Sequence, residues 1–234
     1  MKKIDKIYEG KAKILYTTED PDLLIQHFKD DATAFNAQKK GTIQEKGIMN
    51  NRISAKIFEY LGTQGISTHF VKMLSDRDML IKKVTIVPIE VIVRNRAAGS
   101  MCRMLGVTEG FQLASPVLEF CYKNDGLGDP VINEYHIQAL NLATDAEVKG
   151  ISRMALAING HLKKFFLKLN IELIDFKLEF GRYHGDIILA DEISPDTCRL
   201  WEVGTGNKLD KDRFRRDLGN IEEAYQEVLR RVTS

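Results

Sequence analysis

Apolar and polar positions alternate with a period of two through much of the first third of the chain, which predicts strands. Residues 7–9 and 13–16 flank Gly10, the pattern of a hairpin, and Leu23–Phe28 is a third short apolar run. At Ile48, Met49, Ile53, Ile57, Phe58 and Leu61 the period lengthens to that of a helix, which Gly62 and Gly65 end. Residues 69–74 and 79–87 read as strands joined by the turn Ser75-Asp76-Arg77-Asp78, and residues 89–94 as another. In the second half Val148, Ile151, Met154, Ala155, Ile158, Leu162, Phe165, Phe166 and Leu169 form one apolar helical stripe. Phe214, Leu218, Ile221, Tyr225, Val228 and Leu229 form a second near the C-terminus. Between them lie two strand-like runs, 172–180 and Asp186–Ala190, with 181–185 as the loop between them.

Strands followed by helices, without strict βαβ alternation, predict an α+β fold. A strand-rich lobe over residues 1–86 and a mixed lobe over 87–234 are the expected units, with the boundary near 84–88. No internal repeat or low-complexity linker interrupts the 234 residues.

Composition narrows the function classes. Lys plus Arg number 34 and Asp plus Glu 33, a balance that argues against a nonspecific nucleic-acid binder but leaves room for a local basic pocket. Cys102, Cys121 and Cys198 form no CxxC pair, as expected of reduced thiols in a reducing compartment. The opening residues lack the apolar core of a signal peptide, and the most apolar run, 84–93, is broken by Pro88 and Glu90. A cytoplasmic protein with no membrane partner is the expectation.

Three segments offer chemistry. In Tyr8-Glu9-Gly10-Lys11-Ala12-Lys13 a glycine at a tight turn lets backbone amides approach phosphate oxygens, and two lysines add point charge; from this segment alone a plain hairpin with solvated lysines is the favoured reading. In Asp175-Phe176-Lys177-Leu178-Glu179 the strand period puts Asp175, Lys177 and Glu179 on one face, and a hairpin symmetric about Tyr183 brings Asp191 to that face. Carboxylates on two strands suit Mg²⁺, and they suit a salt-bridged surface as well. The symmetric register sets Asp191 opposite Asp175, roughly 13 Å along the strand from Glu179, so a metal shared by Glu179 and Asp191 requires a different register, a bulge or bridging waters. Arg94-Asn95-Arg96-Ala97-Ala98-Gly99-Ser100 joins a guanidinium, suited to a phosphate fork, to a possible helix start; a basic loop with a helix cap is the alternative. Arg199, after Ser194-Pro195-Asp196, is a similar candidate, whereas His69, His136 and His184 lack metal-ligand spacing.

Taken in order, YEGKAK, DDATAFN, THF, PIEVIVRNRAAGS, KND with the following DP, DFKLEFG, LADEISPD, RLW and DKDRFR resemble the SAICAR synthases over residues 8–215. The resemblance implies a two-lobed fold with a kinase-like nucleotide cleft. It implies an ATP-dependent ligase that joins carboxyaminoimidazole ribonucleotide (CAIR) to L-aspartate, through an acyl phosphate, giving SAICAR, ADP and phosphate. It implies Lys11, Ala12 and Lys13 at the ATP phosphates, adenine against Leu15, Leu24, Ile81, Lys82 and Ile86, and Mg²⁺ on Glu179 and Asp191. Arg94, Ser100 and Arg199 are implied at the nucleotide 5′-phosphate, Asp175 and Lys177 beside the reacting carboxylate, and Lys211 and Arg215 at carboxylate or phosphate contacts. Self-association as a homodimer is implied too. A small-molecule kinase with the same ATP cleft is the competing enzyme, and a noncatalytic nucleotide sensor the competing class. Acceptor-side charges such as Lys177 are superfluous in a sensor, and no RNP-like motif suggests RNA.

Overall fold

The computed structural model describes residues 1–34 and 39–234; Phe35 and Asn36, which end the DDATAFN motif, lie outside the described residues. The chain runs β1 (Lys6–Glu9), β2 (Lys13–Thr17), β3 (Leu23–Phe28), β4 (Asp31–Ala34), β5 (Lys39–Thr42), α1 (Lys46–Thr63), β6 (Phe70–Met73), β7 (Asp78–Lys82) and β8 (Thr85–Arg96). It continues through α2 (Ser100–Leu105), β9 (Gln112–Tyr122), a 3₁₀ turn (Asp125–Leu127), β10 (Val131–Ile132), α3 (Glu134–Ala139) and α4 (Asp145–Lys168). Then follow β11 (Ile171–Tyr183), β12 (Asp186–Ala190), β13 (Cys198–Glu202), α5 (Asp212–Arg215) and α6 (Ile221–Thr233).

Two large antiparallel sheets, with β4 and β5 paired apart from them, organise these elements, in keeping with the α+β expectation. The first has the order β1-β2-β3-β7-β6; the second has the order β10-β9-β8-β11-β12, with β13 beside the first half of β11. The sheets meet where His69 donates its amide to the Leu189 carbonyl and Leu189 donates to Ser67. Helix α4 begins in a capping box, Thr144 and Glu147 each bonding the other's backbone amide, and lays Ile151, Ile158, Leu162 and Phe166, all 0% exposed, on the second sheet. Burying each such side chain contributes about 1.5–3 kcal/mol. Helix α1 serves both sheets. Ile53, Ile57 and Phe58 join the core of the second sheet and α6, while Ala55 packs with Leu24, Phe28, Met79 and Ile81 of the first.

The structure corrects four expectations. Residues 79–87 are not one strand: β7 stops at Lys82, Lys83 bonds the Asp22 carbonyl, and β8 begins at Thr85 in the other sheet. Strand β8 runs through Pro88, which falls where the pairing with β11 jumps from Glu90–Glu179 to Ile86–Gly181. A residue without an amide donor is tolerated at such an irregularity. The hairpin after β11 is also tighter than a 181–185 loop. Glu179 pairs with Ala190 and Tyr183 with Asp186, leaving a two-residue turn at His184 and Gly185, with φ of 48° and 91°. The C-terminal stripe splits, because Gly219 and Asn220 have φ of 70° and 49° and end the chain's return before α6. Phe214 therefore belongs to α5, and Leu218 to the connection. Strands β4, β5, β9, β10 and β13 were not expected from periodicity.

Candidate active site

A cavity of about 710 Å³ lies between the sheets. All the side chains singled out above as candidates line it: Lys11, Ala12, Lys13, Leu15, Leu24, Ile81 and Lys82 from the first sheet and its β1–β2 turn, Ile86, Arg94, Asp175, Lys177, Glu179 and Arg199 from the second sheet, and Ser100, Asp191, Lys211 and Arg215 from the segments beside it.

The β1–β2 turn closes with the Gly10 amide donating to the Lys13 carbonyl at 2.8 Å. The exposed Tyr8 ring lies over Gly10, its hydroxyl 2.8 Å from where a Cβ would stand. Lys11 reaches over the cavity to Asp125 Oδ1 at 2.6 Å, and Lys13 pairs with Asp191 and, at 3.1 Å, with Glu192. Leu15 and Leu24 share an apolar wall with Ile81 and Ile86, while Lys82 donates to the Thr68 carbonyl at 3.2 Å.

The β11–β12 register settles the carboxylate question. Because Glu179 pairs with Ala190, the next residue, Asp191, stands beside Glu179 and not beside Asp175. Asp191 leaves the strand with φ of 64°. Both carboxylates are answered by ammonium groups. Lys123 and Lys177 donate to Glu179 Oε1 at 2.9 and 2.8 Å, and Lys177 also bonds Glu90 Oε1 at 2.6 Å. Burial disfavours the charge on Lys177, yet Glu179, Asp191 and Glu90 outweigh it and hold the ammonium well above its ordinary range. Burial likewise opposes ionisation of Asp191, and Lys13 and Lys177 reverse that, keeping it a carboxylate far below the usual range. Among the described residues no three His, Cys, Asp or Glu side chains converge as a metal cage. A buried Glu179 beside a half-buried Asp191 suits a hard cation that completes its oxygen shell from phosphates and water.

The opposite wall is a lattice of guanidinium and carboxylate. Arg94 lies opposite Asp175 on the paired strands and is 2% exposed. Its donors meet Asp175 Oδ2 at 2.6 Å, Glu119 Oε2 at 3.0 and 2.8 Å, the Ala98 carbonyl at 3.3 Å and Ser100 Oγ at 2.8 Å. Arg199 shares Asp175, its Nη1 2.7 Å from the same Oδ2, and bonds Asp212 through Nε at 3.0 Å. Among the described residues its Nη2 makes no hydrogen bond. Gly99, with φ of 59°, admits that group: a Cβ there would lie 2.4 Å from Arg199 Nη2. Burial opposes the Arg199 charge, but Asp175 and Asp212 hold its pKa above the ordinary value.

Residues that periodicity did not select also line the cavity, notably Glu90, Lys123, Glu192, Asp196 and His69. Lys123 lies in the KND motif, and Glu192 and Asp196 in LADEISPD, so motif position was the available signal. Glu90 faces Lys177 only because β8 and β11 pair in this register. His69, read as ordinary, is 2% exposed with Nε2 unpartnered, and burial pushes its pKa down to about 3. Cys198 is buried against the cavity, and burial pushes its thiol pKa up.

Comparison with known proteins places this geometry. The SAICAR synthetase family model matches residues 6–232. The phosphoribosylaminoimidazole-succinocarboxamide synthase of Caldanaerobacter subterraneus subsp. tengcongensis is 60% identical over 232 residues, 99% of either chain. A crystal structure of the synthase of that name from Ehrlichia chaffeensis superposes with a TM-score of 0.96 at 49% identity, covering 98% of both chains. A SAICAR synthetase in complex with ADP gives a TM-score of 0.93 at 48% identity, covering 97% of both chains.

Proposed function

The chain belongs to the SAICAR synthetase family, and from that premise we propose how its cavity performs the reaction. It is an ATP-dependent ligase of purine biosynthesis that joins CAIR and L-aspartate to give SAICAR, ADP and phosphate.

A carboxylate and an amine do not condense unaided in water. Transfer of the γ-phosphoryl group of ATP to the CAIR carboxylate turns an oxide into a leaving group. The aspartate amine then attacks the carbonyl carbon, the carbon–oxygen bond to phosphate breaks, and the amine gives up a proton. Lys11 and Lys13 with the Ala12 backbone hold the ATP phosphates, and Leu15, Leu24, Ile81, Lys82 and Ile86 hold the adenine. Glu179 and Asp191 would hold Mg²⁺, which would supply charge neutralisation for the transferring phosphoryl group. Lys177, poised between Glu179 and Glu90, turns to the reacting carboxylate as negative charge moves there. Asp175 accepts from both Arg94 and Arg199, so that Arg199 offers a preorganised edge to the 5′-phosphate, with Ser100, Lys211 and Arg215 nearby. The five donor contacts of Arg94 support a part behind Arg199, as its anchor.

The observation that carries this reading is that one cavity sets the Gly10–Lys13 turn against the alternating acid-base face of β11. Two lobes divided near residues 84–88, a homodimer and a cytoplasmic location complete the proposal. Three free cysteines support the location, and among the described residues no helix is long and apolar enough to cross a membrane. The test is ADP release with CAIR or L-aspartate omitted in turn. Sustained release requiring both supports the ligase; sustained release with CAIR alone would point to a kinase.

A further inference from the structure

Behind the substrate wall sits a buried charge cluster drawn from four parts of the chain. Lys46, the first residue of α1, is 0% exposed, and its Nζ donates to Asp196 Oδ2 at 2.6 Å. The Tyr225 hydroxyl of α6, also 0% exposed, donates to Asp196 Oδ1 at 2.6 Å. Lys211 Nζ lies 3.7 Å from the Oδ2 that Lys46 holds, and the Lys211 amide donates to the Pro195 carbonyl at 3.1 Å. Asp196 and Lys211 line the cavity, whereas Lys46 and Tyr225 do not. Lys46, Lys211 and Arg215 against Asp196 and Glu192 leave one positive charge in excess, in a place where the Asp196 and Lys211 side chains are only 5% and 13% exposed. An excess buried charge is unfavourable until an anion arrives to share it.

We propose that Lys46 and Tyr225 are positioning residues for the reaction: acting through Asp196, they hold the Lys211 ammonium at the cavity wall as a seat for an anionic oxygen, carboxylate or phosphate, of an acceptor substrate. The proposal rests on the placement of Lys211 in the substrate site. With both Asp196 oxygens hydrogen-bonded to α1 and α6 at 2.6 Å, the carboxylate meets Lys211 only as an ion pair at 3.7 Å, so the Lys211 ammonium keeps its donors for an anion. Burial, opposed by Asp196 and reinforced by Lys46 and Arg215, lowers the Lys211 pKa in the empty site. The charged groups facing it are Asp196 and Glu192 after β12, Lys46 of α1 and Arg215 of α5. An anion bound there restores the balance.

The test compares Lys46→Met, Lys46→Arg, Tyr225→Phe and Lys211→Met, with KM measured for CAIR, L-aspartate and ATP across pH, and with melting curves. Lys46→Met is expected to raise KM for one acceptor substrate about tenfold, as for a displaced charged hydrogen bond, with ATP unaffected. A rise for CAIR identifies the ribonucleotide as the source of the anion; a rise for aspartate identifies the amino acid. Removing a like charge that shares the same Asp196 oxygen also moves the alkaline limb of that substrate's kcat/KM upward, by roughly one pH unit. Tyr225→Phe, which keeps the packing, moves both in the same direction by less, and Lys46→Arg restores KM. If Lys211→Met changes the substrate KM but folded Lys46→Met and Tyr225→Phe leave KM and the alkaline limb at their original values, the cluster is only structural and the proposal falls. If Lys211→Met itself leaves both acceptor KM values unchanged, the placement of Lys211 fails, and the proposal with it.

Discussion

Replacing Arg94 with lysine keeps one positive charge in the middle of the substrate wall and removes the planar fork that spends it. The guanidinium makes five hydrogen bonds, to Asp175, Glu119 twice, Ser100 and the Ala98 carbonyl. A lysine ammonium has three donors and a single centre. It cannot serve Asp175 and Glu119 together, and the side chains of those two carboxylates are 5% and 13% exposed. Arg199 still answers Asp175, so Glu119 is the group left short. Losing a charge-assisted bond and leaving a buried carboxylate underpaired is worth about 2–4 kcal/mol. For a chain of this size that lowers Tm by about 5–15 °C. The assay is a thermal melt without substrates, paired with KM for CAIR in Arg94→Lys and Arg199→Lys. The expected pattern is a large Tm loss for Arg94→Lys and the larger CAIR KM increase for Arg199→Lys. An unchanged Tm in Arg94→Lys, with CAIR KM raised more than in Arg199→Lys, would refute the reasoning and make Arg94 the direct phosphate ligand.

Glu179→Gln keeps shape and removes the acceptor charge that Lys123 and Lys177 share; turnover at saturating Mg²⁺ should fall by two orders of magnitude or more, on the scale of a lost electrostatic stabiliser, and near wild-type turnover would exclude it as a metal ligand. Gly181→Ala would place a Cβ 2.4 Å from Val84 Cγ2, so a loss of about 1–3 kcal/mol is expected by denaturant unfolding, with no loss if the sheet-to-sheet connection yields. His69, buried and neutral with a pKa of about 3, charges more readily in the unfolded chain. Its contribution is therefore present above pH 6.5 and is lost as pH falls toward 3, by about 3 kcal/mol between pH 7 and 4. Unfolding of His69→Gln should show a correspondingly shallower acid slope, and an identical slope would mean that the imidazole is not desolvated.

Local signals along the chain were enough for the elements whose apolar face is set by their own period. Strand β3 and helices α1 and α4 follow from spacing, because burial of a stripe or of alternate residues is a one-dimensional constraint. The alternation in Asp175–Glu179 already placed three charged side chains on one face, and the motif order already named the family. The strands that escaped notice, β4, β5, β9, β10 and β13, are short or mixed in polarity, and form because a neighbour supplies hydrogen bonds.

What only the tertiary structure decided is which charge meets which. A two-residue turn at His184-Gly185 in place of a loop centred on Tyr183 moves Asp191 from Asp175 to Glu179, and a side chain's partner changes with every residue of register. Arg94 looked like a free anion ligand, yet the β8–β11 pairing sets it opposite Asp175 and surrounds it with acceptors. Lys46, Asp196, Lys211 and Tyr225 are separated by up to 179 positions and share no period; they converge because α1, the loop after β12, the segment before α5 and α6 pack around one core. Periodicity reports where a side chain points relative to its own backbone. The partner it finds there, and hence its charge state and use, depends on long-range packing that no local window contains.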